Sequence, residues 1–349
     1  MEAVFIDSLK PFLDAVAGEF ELYVPRKTGG HYVFKSYDPG GAGEVEMNNI
    51  RTCMPVKEFL FPLRQIAAVM PGGVETGEVK PFAVFGLKDC DLKALAALDM
   101  VFKEDEFLDP YYVAHRDKMF VIAGDCFELG ESCCCNLFDG QPFPDEGFDL
   151  SFAKVRGGFV IEAGSKKGED FLKKHGGLFR PARPDMLDER QKIRDKTQQQ
   201  LLQNTAEYKL DSPIKELMDN SGESSVYDVE AERCVECQAC TRVCPTCHCF
   251  YLYDTKRKDY FEKMQMWDSC MRLDYARVAG GANPRKLLGE RLRHRLMHKF
   301  AYFLDRYGVN MCVGCGRCID ADAGKIDIRV ILKKLNEELN AKQGARVAK

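Results

Sequence analysis

CVECQACTRVCP, residues 234–245, sets Cys234, Cys237 and Cys240 two residues apart and adds Cys244 and Pro245 after a further three. This spacing lets three thiolates converge on one face of a four-iron four-sulfur cubane. The proline turns the chain and carries the fourth thiolate onward, where in two-cluster proteins it ligates the other cluster. The run therefore asks for a partner run, and the partner stands near the C-terminus.

CVGCGRCID, residues 312–320, supplies Cys312, Cys315 and Cys318, and Gly314 and Gly316 between them suit a backbone wrapped tightly around a bulky cofactor. Where a fourth cysteine and a proline are due, Asp322 and Ala323 stand instead. Reciprocal ligation then gives one cluster to Cys312, Cys315, Cys318 and Cys244, and the other to Cys234, Cys237, Cys240 and Asp322. A carboxylate oxygen is a harder and weaker ligand for iron than a thiolate. Four readings of Asp322 stay open: an oxygen-ligated cubane, a three-iron cluster, an iron open to water, or a solvated surface aspartate. Structural zinc takes four ligands and has no use for two triplets with this Cys-Pro ending.

Helical patterns dominate the long segment between the runs, including PRKLLGERLRHRLMHKFAYFLDRYG, so residues 226–349 read as an α-helical dicluster domain of the ferredoxin type, with ELNAKQGARVAK fraying at its end. CPTCHCF adds Cys247 and Cys249, and MWDSC adds Cys270 beside the single tryptophan, Trp267. Buried structural thiols are the commoner fate of such residues, with ligation the alternative, and His248 is the one histidine placed suggestively among them. Arg285, Lys286, Arg291, Arg293, Arg295 and Lys299 form a basic stretch that reads as a solvated helix face, or else as counter-charge for a thiolate-ligated cluster.

The first half is of another kind. A helix over residues 5–20 and a strand at HYVFKSY are followed by two apolar runs, FAVFG (82–86) leading to Cys90 and MFVIAG (119–124) leading to Cys126. With further strands at SFAKV and GFVIEA, residues 1–183 read as an α/β domain and residues 184–225 as a helical connector. If the two apolar strands are parallel, Cys90 and Cys126 meet at their carboxyl ends, where open α/β sheets collect ligands. In an extended CCC triplet, Cys133 and Cys135 face one way and Cys134 the other. Cys90, Cys126, Cys133 and Cys135 are thus candidates for a third four-iron cluster, against a reading as buried thiols or a zinc site.

Composition agrees with a metalloprotein. The chain has 349 residues, 45% hydrophobic and 30% charged, with a net charge of −4 and a pI near 6.0. No chain-wide basic field suggests nucleic acid, no stretch approaches the roughly 20 apolar residues of a membrane span, and sixteen cysteines without an export signal point to metal ligation in the cytoplasm. No phosphate-binding glycine fingerprint and no nucleophile with its base is visible.

CVECQACTRVCPTCHCF, WDSCM, ARVAGGANPR, RLRHRLMHKFAYF and CVGCGRCID, together with KEFLFPLRQ, FGLKDCDLKAL, DPYY and GDCFELGESCCC, resemble the β subunits of sulfhydrogenases and the A subunits of anaerobic sulfite reductases. The resemblance covers most of the chain and departs from the family pattern at Asp322 and Ala323. It implies a non-catalytic electron-transfer subunit with two four-iron four-sulfur clusters. It also implies a partner subunit that carries FAD and binds NAD(P)H, and a terminal hydrogenase, sulfite reductase or heterodisulfide-reductase-type subunit. The competing readings are a catalytic subunit binding substrate at an open iron or flavin in the N-terminal domain, and a scaffold whose clusters only rigidify it.

Overall fold

The computed structural model describes residues 3–40, 45, 51–74 and 77–347. Its strands run β1 (Val4–Ile6), β2 (Glu21–Thr28), β3 (His31–Ser36), β4 (Arg64–Met70), β5 (Phe82–Leu87), β6 (Met119–Gly124), β7 (Leu150–Val155), β8 (Gly158–Ala163), β9 (Arg180–Pro181), β10 (Phe250–Lys256) and β11 (Phe261–Trp267). The two apolar runs of the first half become β5 and β6. Every residue of both is buried, and they pair in parallel at the middle of an eight-stranded sheet ordered β3-β2-β5-β6-β7-β8-β1-β9.

Their uninterrupted apolarity has a direct cause: a central strand is covered on both faces. Alternate side chains go to opposite layers. Ala83, Phe85, Phe120 and Ile122 pack with Leu9, Phe12, Phe171 and Leu172 from the helices Leu9–Ala17 and Lys166–Lys174. Val84, Leu87, Met119 and Val121 pack on the other face with Leu95, Leu98 and Tyr112 from the helices Asp89–Phe102 and Pro110–Lys118. Ser8 caps the first helix, so a short strand, β1, occupies the start of the segment that the sequence reads as helix from residue 5. The polar segment after residue 183 forms the helix Pro184–Thr205, started by a proline at its first position.

The C-terminal part departs from an all-helical expectation. Helices Val226–Ala231, Leu288–Met297 and Ile328–Val347 enclose one apolar core, but β10 and β11 form an antiparallel hairpin, and β11 pairs in turn with β4 from the first half. The terminal segment expected to fray is helical through Val347; residues 348 and 349 lie outside the described set. Among the described residues no helix is long and apolar enough to cross a membrane.

The junction of hairpin and sheet is anchored by Trp267, which is 3% exposed. Its Nε1–H donates to the Phe61 carbonyl at 2.9 Å, its ring stacks on Phe61, and the Lys57 ammonium lies 4.2 Å above its centre. A buried carbonyl left without its donor costs about 1–3 kcal/mol. Trp267→Phe should therefore lower the denaturant midpoint of the cluster-loaded chain by a corresponding amount, read by far-ultraviolet circular dichroism. An unchanged midpoint would show that the indole hydrogen bond is not what fastens the hairpin.

Candidate metal centres

The parallel pairing of β5 and β6 sets the residues that follow them side by side. Lys88 ends one loop and sends its Nζ 2.9 Å to the Asp125 carbonyl, tying it to the other. Cys90 lies in the first turn of the helix Asp89–Phe102, and Cys126 follows Asp125. The thiol of Cys126 lies within electrostatic reach of Cys133, Cys135 within reach of both, and Cys90 within reach of Cys135. All four expected residues of the N-terminal set are thus gathered at the strand ends. Cys134, just before the tight turn Cys135–Phe138, faces Cys312, Cys315 and Cys318 instead. Burial pushes Cys126 up to about 12 and holds Cys90 and Cys135 above the ordinary thiol range. Thiols raised this way stay protonated unless a metal or another cation supplies the missing positive charge.

Asp125, beside this group, receives two hydrogen bonds from Arg194 at 2.8 and 2.9 Å. Burial nevertheless holds its carboxyl above the usual value, against the pull of Arg194. Asp89 is raised by burial to about 6 and accepts from the Gln141 amide at 3.0 Å.

A second group, Cys244, Cys312, Cys315 and Cys318, lines one small cavity of about 20 Å³ together with Pro245, with Cys134 and Lys299 in its wall. These four cysteines are the reciprocal set expected from spacing. Lys299 is 2% exposed and reaches Cys244 Sγ and Thr246 Oγ1, each at 3.3 Å. Burial opposes its charge, but the neighbouring sulfurs of Cys244 and Cys247 outweigh that and hold its pKa well above the ordinary lysine value. Burial pushes Cys312 up to about 12 despite Lys299.

Gly314 and Gly316 have a role beyond the one read from sequence. Both take the left-handed conformation, at φ 61° and 75°, and the place of a Cβ lies 2.4 Å from the Cys134 carbonyl oxygen and 2.4 Å from that of Ser132. They clear room for the N-terminal cysteine loop. The Cys134 amide then donates to the Gly314 carbonyl at 2.9 Å, which joins the two cysteine loops directly.

The third group is Cys234, Cys237, Cys240 and Asp322. Cys234 and Cys240 both lie within electrostatic reach of Asp322, and Cys237 is exposed. Asp322 is 5% exposed and its Oδ1 accepts from the Gly324 amide at 2.8 Å, so it is not a solvated surface residue. Glu236 and Gln238, the residues between these cysteines, stand at φ 55° and 62°, where side chains other than glycine are uncommon and strained. Arg291 holds the loop in place through Glu236 Oε2 at 3.0 Å and the Met271 carbonyl at 2.8 Å.

The basic stretch divides. Arg291, Arg295 and Lys299 are buried, whereas Arg293 is held at the surface by the Gly222 carbonyl. Arg295 reaches the Cys240 carbonyl at 3.3 Å. Cys247 lies beside Cys244, and Cys249 beside Cys270. His248 is driven down to about 4 by burial and turns Nδ1 to the Thr246 carbonyl at 3.0 Å. Among the described residues no three His, Cys, Asp or Glu side chains converge as they would on a single metal ion.

Several cations at these groups are not singled out by the sequence reading. Lys57 is 2% exposed and donates to the Cys247 carbonyl at 2.7 Å; burial, only partly offset by the nearby thiolates, brings it down to about 8. Arg51 meets Cys133 Sγ at 3.3 Å and Ser132 Oγ at 2.8 Å, and also pairs with Asp320. The available signal was positional: Lys57 and Lys88 sit inside KEFLFPLRQ and FGLKDCDLKAL, and Arg291, Arg295 and Lys299 recur every fourth residue along one helix face.

Residues 233–326 match the family described as a 4Fe-4S dicluster domain, a span that encloses both C-terminal triplets, Cys244 and Asp322. Over 322 residues the chain is 30% identical to sulfhydrogenase 2 subunit beta of Pyrococcus furiosus, an alignment covering 91% of this chain and 93% of that one. The chain belongs to the sulfhydrogenase β-subunit family. In this family member, Cys90, Cys126, Cys133 and Cys135 fall outside the dicluster match, so their grouping rests on the sheet and not on that similarity.

Removing Arg194 leaves the Asp125 carboxyl buried without its cation, a change that costs about 3–5 kcal/mol when the carboxyl is ionised. A carboxyl whose folded-state pKa is raised contributes stability that is complete below the ordinary carboxylate range and is lost as pH rises through the folded value. Arg194→Ala raises that value further. Its melting temperature should fall short of the unaltered chain's by more at pH 8 than at pH 5; a deficit independent of pH would refute the assignment.

Proposed function

We propose that the chain is an electron-relay subunit. It takes electrons from a partner that carries FAD and binds NAD(P)H, and passes them singly to a terminal hydrogenase, sulfite reductase or heterodisulfide-reductase-type subunit in the cytoplasm. Three cubanes form the relay. Cys90, Cys126, Cys133 and Cys135 hold the first, Cys244, Cys312, Cys315 and Cys318 the second, and Cys234, Cys237, Cys240 and Asp322 the third. When bound, each cluster supplies a one-electron couple, which suits a flavin that accepts a hydride pair and must release it singly.

The observation that carries the reading is the direct join of the two cysteine loops. The Cys134 amide is bonded to the Gly314 carbonyl, so the N-terminal thiols and the second C-terminal triplet stand on either side of one peptide hydrogen bond. The side-chain chemistry of the second group fits cluster binding: Cys244, Cys312, Cys315 and Cys318 line one space, with the buried Lys299 beside them. Exposure of Cys237 suits an end of the relay where a partner docks. The buried position of Asp322 suits a ligand better than a site open to substrate.

Iron and acid-labile sulfide in the anaerobically purified full chain should match three cubanes. Cys126→Ser with Cys135→Ser should remove one cubane's worth and leave the other two, as counted by the same assay and by electron paramagnetic resonance. Iron content unchanged in that double variant would remove the N-terminal cluster and shorten the relay to two.

Asp322→Ala leaves its site with three thiolates. The expected product is a three-iron cluster, seen as its characteristic resonance in the oxidised chain, while Asp322→Cys retains a complete cubane. A full cubane in Asp322→Ala would show that the carboxylate is not a ligand.

A further inference from the structure

Arg317 lies between two of the thiol groups, and its bonding leaves part of its guanidinium unused. Nε–H donates to the Thr52 carbonyl at 2.8 Å. Nη2 stands 2.7 Å from Asp91 Oδ1, with both side chains 3% exposed or less, yet the pair lacks the alignment of a hydrogen bond. Nη1 meets no oxygen acceptor, and beyond Asp91 and the Thr52 carbonyl the guanidinium's polar neighbour within bonding reach is the Cys315 sulfur. Asp91 is fixed through its other oxygen, which accepts from the Lys88 amide at 3.2 Å. The guanidinium interacts electrostatically with Cys315 on one side and Cys90 on the other. A buried arginine with unspent N–H groups is expensive unless an acceptor is due there, and sulfur of the two neighbouring sites is the acceptor on offer.

We propose that the Arg317–Asp91 pair is a potential-setting device at the junction of the Cys315 and Cys90 sites. Arg317 makes reduction easier there, and Asp91 trims that effect. The proposal rests on the relay reading above. Reduction of a cubane adds one electron and therefore one negative charge, with no bond made or broken in the protein. A fixed cation beside the site stabilises the reduced form and a fixed anion destabilises it. A buried ion pair that merely braces the helix Asp89–Phe102 against the C-terminal loop would not distinguish the two signs. The pair is thus a set of positioning residues, and neither ligates iron.

The test is a redox titration of the full chain, followed by electron paramagnetic resonance, for Arg317→Gln, Arg317→Lys and Asp91→Asn, with iron and sulfide measured on each. In Arg317→Gln one component should need a more negative potential, its reduced fraction at fixed potential falling about tenfold, or about 59 mV for a one-electron couple. Asp91→Asn should move a component the opposite way, and Arg317→Lys should restore most of the unaltered value. Unmoved components at full iron content, or shifts of one sign in both charge-removing variants, would overturn the proposal. Should Arg317→Gln lose iron, Asp91→Asn decides alone: a rise in potential supports the device and no rise refutes it. Absence of iron and sulfide from the unaltered chain would instead overturn the relay reading itself.

Discussion

Thiolate sulfur carries charge, and a charge taken out of water is tolerated only beside a partner. The interior of this chain is organised around that constraint. Lys299 meets Cys244, Arg295 meets the Cys240 carbonyl, Lys57 meets the Cys247 carbonyl, and Lys88 ties the loops that carry Cys90 and Cys126. An opposite charge about 4 Å away is worth about 4 kcal/mol at an effective dielectric constant of about 20, comparable with the several kcal/mol that burying an ion costs. The buried cations are therefore placed where sulfur and carbonyl acceptors can offset the cost of their burial.

The same dependence interlocks the halves of the chain. Lys57 and Thr52 come from the segment before β4, yet one donates to a carbonyl among the C-terminal cysteines and the other accepts from Arg317. β4 completes the sheet begun by the C-terminal hairpin. Cys134 and Phe138 belong to the C-terminal apolar core although they follow β6. The cysteine-bearing loops thus gain rigidity from elements remote in sequence.

Much of this was legible in the residues, and what was not has physical reasons. FAVFG and MFVIAG announced buried parallel strands because both faces of each are apolar, and the cysteine spacings paired Cys244 with the distant triplet because a cubane needs its ligands arranged so. The hairpin escaped notice because Phe250–Lys256 is largely exposed and lacks a clean two-residue alternation; its partner β4 lies far away in sequence. Buried cations resemble surface ones until their counter-charge is located. Gly314 and Gly316 look like wrapping glycines from sequence, since nothing in CVGCGRCID says which neighbour will fill the space they leave.

That last feature bears on how the protein matures. The seat of the loop around Ser132, Cys134 and Cys135 is built by residues 314 and 316, so during synthesis the first half leaves the ribosome with its cysteines assembled at the strand ends but without the surface that closes over them. The N-terminal thiols can reach their packed arrangement only after nearly the whole chain has emerged. A nascent or truncated chain lacking residues 314 and 316 would consequently present those thiols to oxidants unprotected.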